Sequence, residues 1–368
     1  MKIGFLGDIC LGAPVVSNVS SQEERYPFGG VGDELGKLDL GVGNLECCIP
    51  EDSCGSDGGS FFAASPEMLD RARRAGIGLM SLANNHVLDC GEEGLSATLE
   101  SLDAAGIGHF GAGENSDQAS AVRWLEWAGR RLAFIGACDR SSCFAGPEKA
   151  GVQPSQRRWL GPSVREAVRS ADLVTVTLHA DFEFVRSPAP WRMRFCRWLI
   201  DQGAHLVICH HPHVLQGVEE YGGGLIAYSL GNFVFPVVGN AYQETRAQAR
   251  DSMILTVDLD FEAKGGPLIS WDPIPVRISE HHEPVGLSSP VAQQRREEFE
   301  GLSRGLGPVT VRKKWRAVCL HQALREARGI YYPLRRGHVR EGLRRARQTL
   351  AESENWPWIL GCLTVGYR

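Results

Sequence analysis

Through the first 235 residues, short apolar runs alternate with amphipathic stretches of helical period, and few architectures accept that alternation. A strand, a helix and a further strand cannot be closed by a tight turn. They need a crossover, and crossovers build mostly parallel sheets covered by helices. The apolar runs predict strands at residues 2–7, 40–44, 77–82, 132–136, 173–178, 206–209 and 225–228. Between them, SPEMLDRARRAGIG offers Ser65 as a cap, Pro66 in the first turn, Leu69 and Ala72 on one face, and Gly76 as a stop. GEEGLSATLESLDAAGI repeats the grammar with Leu95, Leu99, Leu102 and Gly106. After residue 250 the pattern alternates about a Gly-Gly pair, which predicts a β-hairpin, and beyond about residue 290 it becomes helical and Arg-rich.

The composition, 43% hydrophobic and 23% charged over 368 residues, belongs to a globular chain and excludes a disorder-dominated one. No uninterrupted apolar stretch approaches the length of a membrane span, and MKIGFLGDIC runs into a strand pattern without a signal-peptide start. A cytoplasmic protein is expected. The eleven cysteines lack any CxxC spacing, so reduced thiols are expected rather than a zinc ribbon or a disulfide scaffold. The net charge of −5 hides an asymmetry: residues 312–347 hold twelve Lys or Arg against Glu326 and Glu341. That segment either attracts an anionic partner or packs its basic helices on the acidic body. Nucleic acid is not expected, because no recognition motif accompanies the arginines.

Polar residues collect where a purely structural sheet does not need them. The first strand ends in Gly7-Asp8, the second in Asn44-Leu45-Glu46, and the third runs into Asn84-Asn85-His86. A later strand ends at His179, and ICHHPHV (208–214) places His210, His211 and His213 in four positions. In an open parallel sheet the carboxyl ends share one edge, where ligands bind. Asp8, Glu46, Asn85, His86, His179, His211 and His213 are therefore expected to converge. Carboxylate, amide and imidazole together suit borderline divalent metals such as Mn, Fe or Zn.

Six motifs in order, GDICLG, GNLE, LANNHVLDCGEEGL, HADFEF, GAHLVICHHPHVLQGVE and IAYSLGNFVF, resemble the CapA-type poly-γ-glutamate capsule biosynthesis proteins of the calcineurin-like metallophosphoesterase superfamily. The resemblance covers roughly residues 1–280. It implies a four-layer α/β/β/α sandwich over residues 1–285, with residues 286–368 as an Arg-rich helical extension. It also implies a binuclear metal site: Asp8 as the first-strand ligand, Glu46 as the bridging carboxylate, and Asn85-His86, His179, His211 and His213 completing the set.

The departures bear on the chemistry. The superfamily's Asp-x-His on the first strand is here Asp8-Ile9-Cys10, so one ion loses an imidazole, and Cys10 is either a replacement thiolate or a buried apolar residue. The family's His-Trp-Gly-x-Glu-Tyr becomes HADFEF, keeping His179 and Glu183 but placing Ala180 and Asp181 in the pocket wall. His210 stands where the superfamily has glycine. One ion, two ions or none are all compatible with these residues.

Three functions follow as expectations. The first is a metal-dependent hydrolase or transferase on a peptidic or polyglutamate-like substrate, with Asp8, His86 and Glu183 catalytic and Asn84, Ser229 and Asn232 binding substrate. The second is a metal-independent peptide epimerase using Asp8 and a histidine as the acid/base pair. The third is a non-catalytic module that binds an acidic polymer or leader peptide. A homodimer is compatible with each, and His281 or His282 enters the site only if the hairpin folds back over the sheet edge.

Overall fold

The computed structural model describes residues 1–16, 24–50, 62–262, 266–335 and 339–351. Among these, two large sheets carry the fold. The first runs in space through Pro284–Gly286, Leu268–Ile278, Asp251–Asp260, Lys2–Ile9, Leu40–Leu45, Ile77–Ser81 and Gly108–Phe110. The second runs through Val218–Tyr221, Gly224–Ala227, Leu206–His210, Leu173–His179, Arg130–Cys138 and Arg123–Trp127. The central pairings of both are parallel, as crossover helices require, while the 251–278 hairpin and the Arg123–Trp127 edge strand add antiparallel borders.

Side-chain parity stacks these sheets into four layers. On Leu173–His179, Val174, Val176 and Leu178 join Leu160, Val164, Met193 and Leu199 of the Arg157–Val168 and Pro190–Asp201 helices. Leu173, the alternate residue, instead meets Phe5, Val42 and Leu79 of the other sheet. The opposite face of that sheet packs Leu6, Leu45 and Met80 against Met68, Leu69, Leu95 and Leu102 of the Glu67–Arg74 and Gly91–Ala104 helices. The result is the α/β/β/α sandwich that the motif resemblance implies. Strands buried on both faces explain why the sequence shows continuous apolar runs instead of alternation.

The Lys2–Ile9 strand changes phase along its length. Ile3 and Phe5 face the other sheet, yet Leu6 and Ile9 both face the helices, because the pairing with Leu40–Leu45 shifts register between Phe5 and Asp8. A bulge of this kind re-aims the residues beyond it. It also marks a change of neighbour: Asp251–Asp260 pairs only with Lys2 to Phe5, and Asn232–Val234 takes over beside Asp8 and Ile9. Gly7 allows the crossing, since a Cβ there would lie 2.2 Å from the Gly231 carbonyl oxygen.

The expected helix stops hold, with Gly76 at φ +92° and Gly106 at φ +67°. The expected Ser65 cap does not: Pro66 takes the cap position, and Ser65 contributes its carbonyl, which accepts from Met68 N at 3.1 Å. In the Gly-Gly hairpin the strands pair as expected, and part of the turn lies outside the described residues.

The Pro308–Arg335 helix packs its first turns, through Val311, Trp315 and Cys319, on the helix layer of the second sheet. Trp315 meets Trp191 and Phe182 edge-on and donates its indole N–H to the Ser187 carbonyl at 2.9 Å. Trp315→Ala is expected to lower unfolding free energy by about 3–5 kcal/mol, read by urea titration, whereas Leu320→Ala, at an exposed position on the same helix, should leave the midpoint nearly unchanged.

Candidate metal centre at the sheet edge

Period-two alternation carries each inter-sheet face directly into polar groups. Val42 leads to Asn44 and then Glu46, and Ile208 leads to His210. Thr177 of the same face bonds Ser81 of the opposite sheet at 2.9 Å and leads to His179. The bulge adds Asp8. The turn after Leu206–His210 then folds back with His211 at φ +95° and His213 at φ +54°. Such left-handed backbone costs on the order of 1–2 kcal/mol per non-glycine residue. Held by that turn, both rings reach the cluster.

Asp8 and Glu46 are fully buried. Asp8 Oδ1 accepts from Asn44 Nδ2 at 2.9 Å and lies 3.2 Å from His210 Nδ1, and Oδ2 lies 3.3 Å from His213 Nδ1. Glu46 differs: neither of its oxygens has a hydrogen-bond partner among the described residues. Its Oε1 is nevertheless ringed by three imidazole nitrogens, His179 Nε2 at 3.5 Å, His213 Nε2 at 3.7 Å and His86 Nε2 at 3.8 Å. Compact triads of possible ligand atoms comprise Glu46, His179 and His211; Asp8, Glu46 and His213; and Glu183, His211 and His213.

Neighbouring groups orient these side chains. His86 Nδ1 bonds Asp89 at 2.7 Å, and its ring stacks on Phe62 at 3.7 Å. His179 Nε2 lies 2.6 Å from Asn85 Oδ1 and 3.0 Å from His211 Nδ1. Asn232 Oδ1 meets His213 Nδ1 at 2.8 Å, while its amide donates to the Ala249 carbonyl. Asn84 bridges the Leu45 carbonyl and the His86 backbone N–H. Ser229 Oγ accepts from Gly231 N at 3.2 Å and so closes its own turn. The half-buried Glu183 accepts from the Tyr242 hydroxyl.

The charges sort by environment. Burial opposes ionisation of Asp8, but the imidazoles of His210 and His213 beside it outweigh that and hold its carboxyl well below the usual range. Burial likewise opposes a charged His213, yet Glu46 and Asp8 raise it to about 10. Burial and then the Asp8 charge push Glu46 well above the carboxylate range. Asp8 and His213 are thus the ionised pair, and Glu46 is the carboxylate left uncompensated. Burial drives His179 and His211 well below the ordinary imidazole value, with Arg140 adding to the effect at His211. Neutral imidazole is the form that binds metal.

Asn44, His210, Arg140 and Tyr242 join the site without having been assigned a role from sequence. Arg140 contacts His211 Nε2 and donates to the Asp181 carbonyl at 3.0 Å. Strand parity is the signal available for Asn44 and His210; Arg140 comes from a loop and Tyr242 from the four-residue helix Ala241–Glu244, too short to show a period. Cys10 lies fully buried in the helix-side core, where burial and then its contact with Cys47 raise the thiol well above its usual value. Asp181 sits at φ +91°, a conformation suited to the family's glycine. Its carboxylate accepts from Ala189 N at 2.8 Å, and burial raises it to about 6 against the opposing Arg192 charge. His281 and His282 occupy a tight turn closed by Ser279 and Glu283, where the His281 carbonyl accepts from the Tyr26 hydroxyl.

A divalent cation fits this donor set. A buried carboxylate whose oxygens lack partners among the described residues, and whose nearest charged neighbour, His213, is shared with Asp8, is expensive unless further positive charge joins it. Mixed carboxylate and imidazole ligands suit borderline metals.

The model of the family described as "Bacterial capsule synthesis protein PGA_cap" matches residues 2–237, and the chain belongs to that family. It is 32% identical over 245 residues to the capsule biosynthesis protein CapA of Bacillus anthracis, covering 64% of this chain and 60% of that protein. It is 29% identical over 240 residues to the PGA biosynthesis protein CapA of Bacillus subtilis, covering 64% and 63%. The chain thus spans less than two thirds of the length of either relative. A putative 5′-nucleotidase structure from Staphylococcus aureus aligns at 15% identity and a TM-score of 0.47 over 82% of this chain and 58% of that one, which carries no functional argument.

Glu46→Gln should separate stability from binding. The raised folded-state carboxyl of Glu46 stabilises metal-free protein below the ordinary carboxylate value of about 4.5, and that contribution is lost as pH rises through the shifted value. Chelator-treated Glu46→Gln is therefore expected to melt higher than chelator-treated wild type at pH 8, with the gap narrowing as pH falls. The variant should also gain less than wild type from added Mn or Zn in the same thermal scans.

Proposed function

We propose that the protein is a divalent-metal-dependent hydrolase or transferase acting on a peptidic or γ-glutamyl-type substrate in capsule-type biosynthesis. The observation that carries this reading is Glu46, fully buried, with no hydrogen bond to either oxygen and three imidazoles within 4 Å. One or two ions of Mn, Fe or Zn would be held by members of the set Asp8, Glu46, Asn85, His86, His179, His211 and His213. When bound, the metal supplies Lewis-acid charge to a phosphoryl or acyl oxygen.

The chain's own groups do the remaining work. His86 is partly exposed and fixed through Nδ1 by Asp89, so Nε2 faces the cluster, where it is placed to pass a proton to a leaving group. Glu183, partly exposed and held by Tyr242, presents a carboxylate to a substrate amine. Arg140, beside His211, offers a guanidinium to a substrate carboxylate, a pairing that Arg geometry favours. Asn44, Asn84 and Asn232 orient the ligands, and Ser229 shapes the turn that carries Asn232.

One observation favours a second reading, metal-independent epimerisation at a peptide α-carbon. Asp8 is flanked by two buried histidines, His210 and His213, and Cys10 supplies no ligand from the helix-side core. A carboxylate and imidazole pair of that kind suits proton removal and return.

Protein purified without added metal is expected to contain stoichiometric Mn, Fe or Zn by elemental mass spectrometry, and His211→Ala should lose most of it. Activity on γ-glutamyl peptides should fall at least tenfold in chelator and return with metal. Undiminished turnover in metal-stripped protein, with deuterium entering a substrate α-carbon, would replace this reading with the epimerase.

A further inference from the structure

Beside the candidate centre, and outside the residues that form it, two thiols stand unusually close. Cys48 Sγ lies 2.6 Å from Cys90 Sγ, well inside the distance at which two separate sulfur atoms normally rest and approaching the roughly 2.05 Å of a bond. Both are anchored by backbone. Cys48 is held in a bridge with the 62–64 segment, donating its N–H to the Phe62 carbonyl at 2.8 Å and accepting from Ala64 N at 2.9 Å. Cys90 is the N-cap residue of the Gly91–Ala104 helix, and its carbonyl accepts from Gly94 N at 3.2 Å. Gly94 leaves room for this side chain, because a Cβ there would lie 2.4 Å from Cys90 Cβ.

We propose that Cys48 and Cys90 are a modification site: they close into a disulfide that staples the loop carrying Asn85, His86 and Asp89 to the segment that follows Glu46.

The two sulfurs have different parts in forming it. Cys90 is the partly exposed sulfur, the one that a small oxidant in solvent reaches first. Cys48 is buried and the more shielded of the two. With a low-molecular-weight disulfide as oxidant, Cys90 thiolate attacks one of its sulfurs, forming a mixed disulfide and expelling one small thiolate. Cys48 then loses its proton to solvent and attacks the Cys90 sulfur, forming the intramolecular bond and expelling the second small thiolate. Two protein thiols are oxidised and one small disulfide is reduced to two thiols.

The bond ties the two sides of a contact that the centre needs. His86 Nε2 faces Glu46 Oε1 at 3.8 Å, with Asp89 holding the other ring nitrogen, and Cys90 follows Asp89 directly. Fixing Cys90 to Cys48 restrains the whole 84–90 loop against the Glu46 strand end. Other cysteine contacts, Cys196 with Cys209 at 3.7 Å and Cys10 with Cys47, lie in the helix-side cores and serve as internal comparisons.

The test incubates the full chain with oxidised glutathione, alkylates remaining thiols with N-ethylmaleimide and maps the non-reduced peptides by mass spectrometry. A Cys48–Cys90 linked peptide is expected, absent from Cys48→Ser and from Cys90→Ser, with Cys196 and Cys209 still alkylatable after unfolding. Thermal scans should show the wild-type midpoint rising by several degrees on oxidation and the serine variants unmoved. Full alkylation of both cysteines after oxidation, or linkage of Cys90 to Cys47 instead, would overturn the proposal. Because the readout is a covalent bond, it stands or falls separately from the metal-dependent reading of the site.

Discussion

Two carboxylates taken out of water set the terms for this molecule. Asp8 and Glu46 are both fully buried, and a buried charge must be paired or it destabilises the fold by several kcal/mol. Asp8 solves the problem locally, through Asn44, His210, His213 and a long contact with the His211 backbone N–H at 3.4 Å. Glu46 does not, and its two orphaned oxygens are the reason the cluster reads as a cation site instead of a polar core. Even the left-handed backbone of His211 and His213 follows from that demand, since it turns imidazoles toward the acidic pair.

Much of this was legible in the sequence, and the limits have physical causes. The strand order could not be read, but the polar ends of five strands could, because parallel strands share one carboxyl edge and period two fixes which residue at that edge points between the sheets. His179 and Glu46 fall out of that rule directly. Asn44 and His210 obey it equally, but in sequence the first is indistinguishable from any polar strand residue and the second stands where the superfamily has glycine. Asp8 is the reverse case. It is found by motif, but simple parity from Phe5 fails, since the strand is buried on both faces and its register shift leaves no mark in an all-apolar run.

Arg140, Tyr242 and the Cys48–Cys90 pair mark where sequence reading stops. Each depends on loops or segments meeting in space, and neither spacing nor periodicity encodes such meetings. The departure from the family's glycine at Asp181 is of the same kind. Its positive φ, the buried hydrogen bond and the Arg192 charge beside it appear only in three dimensions.

The candidate ligands come from both sheets: Asp8, Glu46, Asn85 and His86 lie on or past strands of one, and His179, His211 and His213 lie on or just past strands of the other. Between those sheets the contacts are mostly apolar and without direction, Leu on Phe and Val on Leu, and such a seam tolerates small sliding. A cation gripped from both sides acts as a rivet through it. It would couple the folding of two halves that share little hydrogen bonding, and it would make their alignment to a fraction of an ångström a condition for chemistry.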